Sequence, residues 1–425
     1  MARDMKDSGI EWIGEIPVSW NMSRLLWCLE EIKEKNNPIK TTNVLSLTNK
    51  LGVVPYEEKG NQGNKAKEDY SQYGLAFKNT LVINSMNVLI GSVGISKYYG
   101  CVSPVYYVYK STDKADLRFI NYIFQNIGFQ KELRKYANGI LEIRMRISSH
   151  DMLRRMIPLP SLYEQQRIAD YLDTECARID SVIEQTRASI EEYNKLKQAI
   201  ITQAVTKGIR PGRAMKDSGA EWIGEIPGSW EIHQIKNDFR IVSGATPKSE
   251  IKENWDGDIV WITPADYKTA DRFVCSGKRN ISEVGYKSCG TTLVPSGSIV
   301  FSKRAPIGTV AIANVELCTN QGCLSCVPGD DSCSTYYYYV MTAFTDQFNL
   351  LGTGTTFKEI SYDNFGSFRI PHPNYREQFE IAAYLDDKTI EIDRLISRKE
   401  ILLSELESYK KSLIYEYVTG KKEVQ

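Results

Sequence analysis

The sixteen residues MKDSGIEWIGEIPVSW at Met5–Trp20 return as MKDSGAEWIGEIPGSW at Met215–Trp230, changed only at Ile10/Ala220 and Val18/Gly228. A repeat of this kind means that the chain folds as two copies of one unit, and that the copies do related things. Further anchors extend the duplication. Ile157-Pro-Leu-Pro160 matches Ile370-Pro-His-Pro373, Tyr171-Leu-Asp173 matches Tyr384-Leu-Asp386, and Val205-Thr206 matches Val418-Thr419, all at an offset of 213. Ile90-Gly-Ser-Val93 matches Ile307-Gly-Thr-Val310 at an offset of 217, with Cys101 and Cys318 following. The units are collinear, alike at their edges and different between them. That pattern suits one frame presenting two different recognition surfaces.

Each unit closes on a helix. Ser161 and Glu164, directly after Pro160, stand as N-cap and N3 of a capping box, and Asn374 and Glu377 do the same after Pro373. Apolar residues then recur at Ile168, Leu172, Ile179, Ile183, Ile190 and Tyr193, and at Ile381, Leu385, Ile392, Ile396, Leu403 and Leu406. Spacings of three, four and seven give a narrow stripe of coiled-coil type. No Pro or Gly interrupts either run before Gly208 and Gly420. A run of about 33 residues would extend about 50 Å at 1.5 Å per residue. The economical partner for each stripe is the other helix, packed antiparallel; two independent helices, each lying on its own domain, is the alternative. The expected fold class is α+β with an internal pseudo-twofold repeat: mixed α/β domains over 1–160 and 211–373, and long helices over 161–210 and 374–425. Lys207–Ala214, with its Gly and Pro, is the linker between units. Within the domains Thr80–Ser85, Gly297–Ser302 and Val105–Tyr109 read as strands, and Leu117–Tyr136 and Thr335–Leu351 as helices.

Net charge is zero over 425 residues, which speaks against a strongly basic nucleic-acid binder acting alone. The distribution is uneven: residues 1–160 hold 22 Lys and Arg against 16 Asp and Glu, whereas residues 211–373 hold 15 against 18. No apolar run reaches the roughly 18 residues that span a bilayer, and the polar start MARDMKDSG is no signal peptide, so a cytoplasmic protein without membrane contact is expected. The nine cysteines then read as reduced thiols. Cys323 and Cys326 form a CxxC that Cys318 and Cys333 could complete as a zinc site; small residues filling strands and turns is the plainer reading.

Reacting groups do not stand out. There is no GxxxxGK[ST] phosphate loop, no acidic-proline-aromatic tetrad, and His150, His233 and His372 lack metal-ligand spacing, reading as structural or surface residues. No catalytic residue is assigned. Polar, basic and aromatic loop material does stand out: Asn61, Gln62, Asn64, Lys65, Lys67, Lys97, Tyr98, Arg144 and Arg146 in the first unit, and Tyr267, Lys268, Lys303, Arg304, Thr319, Asn320, Gln321 and the Thr355–Lys358 segment with Lys358 in the second. Arg, Lys, Asn and Gln are the side chains that read base edges, and Lys, Arg and Thr hold phosphates. Ordinary solvation explains polar loops equally well. Trp12, Trp20, Trp222 and Trp230, identical between copies whose inserts differ, read as anchors of each domain to the frame.

The MKDSGxEWIGEIPxSW opening, the IPLPSLYEQQRIADYLD helix start, and the run GATPKSE, WDGDIVWIT, PSGSIVFSKRAPIGTVAIA and TNQG resemble the specificity subunit of type I restriction-modification systems, and the likeness covers both units. The resemblance implies two target-recognition domains, each reading half of an asymmetric bipartite sequence in double-stranded DNA. It implies long helices that space them and dock two methyltransferase subunits, which bring S-adenosylmethionine for adenine methylation, with motor-nuclease subunits joining for cleavage. On that reading the chain is a non-catalytic scaffold and binds no cofactor itself. The competing readings are a self-contained DNA-modifying enzyme and a coiled-coil scaffold that binds proteins. The units differ at one turn, where Met86-Asn87 align with Lys303-Arg304.

Overall fold

The computed structural model describes residues 3–48, 52–60, 69–139, 145–354 and 358–424. Asn61, Gln62, Asn64, Lys65, Lys67, Arg144 and 355–357 lie outside the described residues. The chain divides into two compact units, Met1–Arg187 with Glu400–Gln425, and Ala188–Lys399. Each unit therefore takes one end of both long helices.

In the first unit, Leu29–Glu31, Tyr106–Ser111, Leu81–Asn84 and Val93–Ile95 form an antiparallel sheet in that order. Leu81, Val82 and Ile83 are all buried, because one face of their strand meets the helices and the other a smaller cluster of Leu45, Leu47, Val53 and Val108. A strand buried on both sides reads as a continuous apolar run, as LVI does. The second unit repeats the order with Phe239–Ser243, Cys323–Pro328, Ile299–Ser302 and Val310–Ala313, then adds Phe273–Val274 at the edge. Arg279–Ile281, Trp255–Ile262 and Cys318–Thr319 form a separate three-stranded sheet.

Two expected helices are each broken once. Asn126 adopts an extended conformation between Leu117–Gln125 and Ile127–Arg134, and its side chain accepts the Phe129 N–H, capping the second helix. A local side-chain acceptor here outcompetes continued helix, as Asn often does. Phe344 breaks the other at φ −103°, ψ 19°, leaving Ser334–Ala343 and Thr345–Leu351.

The long helices run Leu162–Lys207 and Tyr375–Val418, 46 and 44 residues. They begin directly after the expected caps, Ser161 and Asn374, so each is longer than the run of about 33 residues used for the length estimate. The caps form: Glu164 N–H donates to Ser161 Oγ at 3.3 Å, and Glu377 N–H to Asn374 Oδ1 at 3.0 Å. Both helices end ahead of a left-handed glycine, Gly208 at φ +71° and Gly420 at φ +73°. A Cβ on Gly420 would come within 2.4 Å of Pro17, so this end admits no side chain.

Within the first unit Tyr171 meets Tyr417 at 4.5 Å, Asp180 accepts from Lys410 at 2.6 Å, and Arg187 pairs with Glu407 at 2.9 Å. Numbers rise along one helix as they fall along the other, so the packing is antiparallel. The second unit repeats it, with Lys197 on Asp393 at 2.7 Å and Lys399 over the Tyr193 ring. Ile168, Leu172, Ile179 and Ile183 are buried in the first unit, and Ile381, Leu385, Ile392 and Ile396 in the second. Leu403 and Leu406 pack half-buried on the first unit's core, while Ile190 and Tyr193 are half-buried in the second.

Candidate nucleic-acid interface

The repeated segment and the helix starts make a mount. Trp20 and Trp230 are buried at 1% and 0% exposure. Trp20 Nε1 donates to Glu164 at 3.1 Å, Trp12 packs on Phe129, and Trp222 stacks on Phe368 while donating to the Arg369 carbonyl. These rings touch protein, as their identity in both copies suggests. A buried glutamine follows each helix cap. Gln165 accepts the Asp116 N–H and donates to the carbonyls of Lys114 and Pro160. Gln378 accepts the Cys333 N–H and donates to Asp331 and Pro373.

On this mount the second unit gathers polar loops at the end of its central strands. The Lys303 N–H donates to Gly322 O at 3.0 Å, joining the turn after Ile299–Ser302 to the Thr319–Gly322 loop. Gly244 lies flat on that loop, since a Cβ there would sit 2.2 Å from the carbonyl oxygens of Thr319 and Asn320. This close approach is what the glycine of GATP supplies. Thr246 then donates its hydroxyl to Gln321, and Asn320 Oδ1 accepts the Gly322 N–H at 2.9 Å. Arg304, Gln321, Lys268 and Lys358 are exposed, Asn320 and Lys303 half-buried. Glu359, which sequence reasoning passed over, meets Lys303 and Arg304 at 2.8 Å each.

Two expected loop contacts are interior. Tyr267 is 4% exposed and its hydroxyl lies 3.5 Å from Cys323 Sγ; burial pushes its pKa well up. Thr319 is 2% exposed and ends a short strand. Thr319 closes a strand and Tyr267 lies in the loop after Trp255–Ile262 with its ring packed among Ile262 and Cys323, so both support the polar loops from beneath.

In the first unit Lys97 is exposed and Tyr98 half-buried, and Arg146 is exposed while its backbone pairs in both directions with Asn138. Sequence reasoning missed a basic cleft of about 1000 Å3, where Lys131, Arg134 and Lys135 border a space shared with Lys410 and Lys411. The cue was present as the KELRK cluster, whose cations a helix gathers on neighbouring turns.

The cysteines do not converge. Three positions apart on one strand, Cys323 and Cys326 face opposite sides. Cys323 packs with Ile262 and Tyr267, Cys326 with the main core and Cys318 beside Trp255 and Trp261. Desolvation pushes Cys318 and Cys323 up to about 12 and Cys326 higher, so these are protonated apolar fillers. Two of the three histidines read as structural or surface residues meet on one carboxylate. His233 Nδ1 lies 2.7 Å from Asp238 Oδ1, His372 Nδ1 3.3 Å from Asp238 Oδ2, and the Tyr337 hydroxyl 2.7 Å from His372 Nδ1. Among the described residues this is the cluster whose donor atoms could hold a metal ion. The imidazoles are stacked, 3.9 Å and 14° apart, so their nitrogens point side by side at the carboxylate instead of converging tetrahedrally. The arrangement serves as a hydrogen-bonded clasp between the paired strands Glu231–Gln234 and Arg369–His372.

A duplicated frame that mounts two different polar loop sets defines a two-headed recognition protein. Residues 20–192 and 227–403 match the family described as type I restriction modification DNA specificity domain, and the chain belongs to that family. It is a specificity subunit of a type I restriction-modification enzyme, and such subunits choose the DNA target without catalysing the reaction. The MjaIX specificity subunit of Methanocaldococcus jannaschii is 39% identical over 171 residues, 39% of this chain and 40% of that one. The MjaVIII subunit of the same organism is 24% identical over 96% of this chain and 93% of its own. In fold, a chain from a structure of type I R-M system assembly and conformational transition matches at TM-score 0.76 and 16% identity, covering 96% of this chain and 99% of that one. The HsdS subunit from Thermoanaerobacter tengcongensis matches at 0.55 and 16%, covering 96% and 98%. Among the described residues no helix is long and apolar enough to cross a membrane.

Proposed function

We propose that the inserts within 1–160 and 211–373 each read one half of an asymmetric bipartite DNA target, with the helices of 161–210 and 374–425 setting the unread length between the halves. The observation that carries this is the contrast between a mount whose anchoring residues recur in both units and loop sets that differ. Lys303, Arg304, Asn320, Gln321, Lys268 and Lys358 would face one half-site, and Lys97, Tyr98 and Arg146 the other, with each good bidentate base contact discriminating by about 1–3 kcal/mol. The exposed faces of the long helices would dock two methyltransferase subunits. Those subunits would supply S-adenosylmethionine, adenine methylation and further phosphate contacts, in keeping with the zero net charge of this chain. Motor-nuclease subunits would join the same complex in the cytoplasm for restriction.

Exchange tests the reading. Replacing residues 21–156 by those of a relative should change one half of the methylated motif, mapped by sequencing of methylated adenines, and leave the other half intact. Change in both halves sinks modular reading. Methylation or cleavage by the purified chain alone would establish a self-contained enzyme instead, and salt-insensitive behaviour of the assembled complex toward DNA would favour a protein scaffold.

A further inference from the structure

Lys303 and Arg304 leave the turn after Ile299–Ser302 together, and one carboxylate holds both. Glu359 Oε1 lies 2.8 Å from Lys303 Nζ, and Oε2 lies 2.8 Å from Arg304 Nε. Its backbone is fixed, because Glu359 and Thr353 exchange N–H and carbonyl at 2.9 Å each, and Ile360 N–H donates to Lys303 O at 3.0 Å. Burial alone would raise the Glu359 pKa, but the two cations outweigh it and lower it, so the carboxylate is charged at neutral pH. In the first unit the residue 213 positions earlier is Arg146, held by the same kind of two-way backbone pairing to Asn138, beside a turn where Met86-Asn87 replace the two cations. Lys303, Arg304 and Glu359 thus sum to one positive charge, and Arg146 alone supplies one at the first turn. Without Glu359 the second turn would carry two.

We infer that Glu359 is a specificity-determining residue: its carboxylate sits where a DNA phosphate would sit on Lys303 and Arg304. The inference rests on the second unit facing DNA. On a wrong sequence, where binding depends on phosphates, the cations stay engaged with Glu359 and the phosphate is repelled by it. On the right sequence Arg304 can leave for a base edge, because a half-exposed ion pair holds weakly, while Lys303 keeps the carboxylate neutralised. Glu359 therefore weakens non-specific association more than specific association.

The test is DNA binding by the assembled complex, on duplexes with and without the methylated motif, between 50 and 200 mM salt. Glu359→Gln keeps the shape and should tighten binding to the motif-free duplex about 3- to 10-fold, steepen its log–log salt slope by about one unit, and lower the discrimination ratio accordingly. An unchanged slope and ratio overturn the inference. The Lys303→Ala/Arg304→Ala double variant separates the two levels. If it weakens binding while Glu359→Gln changes nothing, only the role of Glu359 fails; if it alters binding to neither duplex, the DNA-facing reading of this turn fails with it. Thermal unfolding within 2 °C of wild type would certify that each variant is folded, and Glu359→Ala, expected to act like Glu359→Gln, gives the same readout if the glutamine proves unstable.

Discussion

Gln165 and Gln378 offer the most direct test of how the domains are mounted. Both are 0% exposed, and each amide serves three backbone groups of its domain and helix start. For Gln165 these are the Asp116 N–H at 2.9 Å and the Lys114 and Pro160 carbonyls at 3.0 and 2.9 Å; for Gln378, the Cys333 N–H at 2.8 Å and the Asp331 and Pro373 carbonyls at 3.1 and 2.8 Å. Gln→Met keeps the volume and deletes every bond. Leaving a buried polar group unpaired costs about 1–3 kcal/mol, and some relaxation plus the gain of burying a thioether offsets part of it, so each variant should lose about 3–6 kcal/mol. A unit of this size shifts about 2–4 °C per kcal/mol. Scanning calorimetry should therefore show a drop of roughly 6–24 °C, in the transition of the first unit for Gln165→Met and of the second for Gln378→Met. A drop of less than about 2 °C for either would refute the idea that these amides are what joins helix to domain.

Gly420→Ala should destabilise the first unit by about 2 kcal/mol or more, measured by denaturant unfolding, because it adds a Cβ against Pro17 at a backbone angle that only glycine adopts freely. Exposed Cys275 should react with iodoacetamide in the native protein at pH 8, while Cys318, Cys323 and Cys326 react only on unfolding; rapid native labelling of the buried three would contradict their place in the cores. His233 gives a pH signature. Burial alone would lower its pKa, but bonds to Asp238 and Glu231 outweigh that and raise it above the usual 6.5. Its contribution is then complete below pH 6.5 and is lost as pH rises through the folded value. Asp238, whose pKa is lowered by both histidines against its burial, acts only in acid, where stability falls as pH drops through its depressed value. Stability should decline as pH rises above 6.5 in wild type and flatten there for His233→Gln.

The frame was legible because three signals of different kind coincide in it. Repeat offset, coiled-coil spacing and capping residues all pointed to the same helix starts, and Ser161 and Asn374 cap as expected. What escaped depended on pairings that spacing does not encode. FINYIFQNIGFQKEL reads as unbroken helix until the Asn126 side chain is seen to prefer Phe129 N–H. His233 and His372 lie 139 positions apart, and only the strand register that places Glu231 opposite His372 brings them onto one carboxylate. Tyr267 and Thr319 look exposed because their types are polar, yet both are buried, since burial depends on what packs over a loop or strand end. The polar loops themselves were visible, but the pairing of Glu359 with Lys303 and Arg304 came only with the fold.

One contact shows how a fixed frame tolerates different inserts. Asp173 and Asp386 occupy the same place in the two helices, and each accepts from one arginine and one tyrosine of its domain. In the first unit these are Arg118 Nη1 at 3.1 Å and the Tyr122 hydroxyl at 2.7 Å. In the second they are Arg272 Nη1 at 2.7 Å and the Tyr339 hydroxyl at 2.8 Å. The aspartates correspond by the offset of 213 and the tyrosines by the insert's offset of 217, each at the sixth residue of its helix; the arginines do not correspond. Arg118 sits in the first turn of a helix, whereas Arg272 follows a short 3-10 turn at φ +52°. The helix thus supplies the acceptor and an equivalent tyrosine one donor, while each insert brings its arginine from an unrelated position. Exchange of residues 21–156 removes Arg118 and Tyr122 along with the reading loops. Asp173 is half exposed, so water solvates its carboxylate when both partners are lost. A chimera whose insert brings no cation or phenol to Asp173 should therefore lose no more than about 1 kcal/mol at this contact, read by denaturant unfolding against the same chimera carrying Asp173→Asn; a loss of several kcal/mol would show that the contact holds the insert in place.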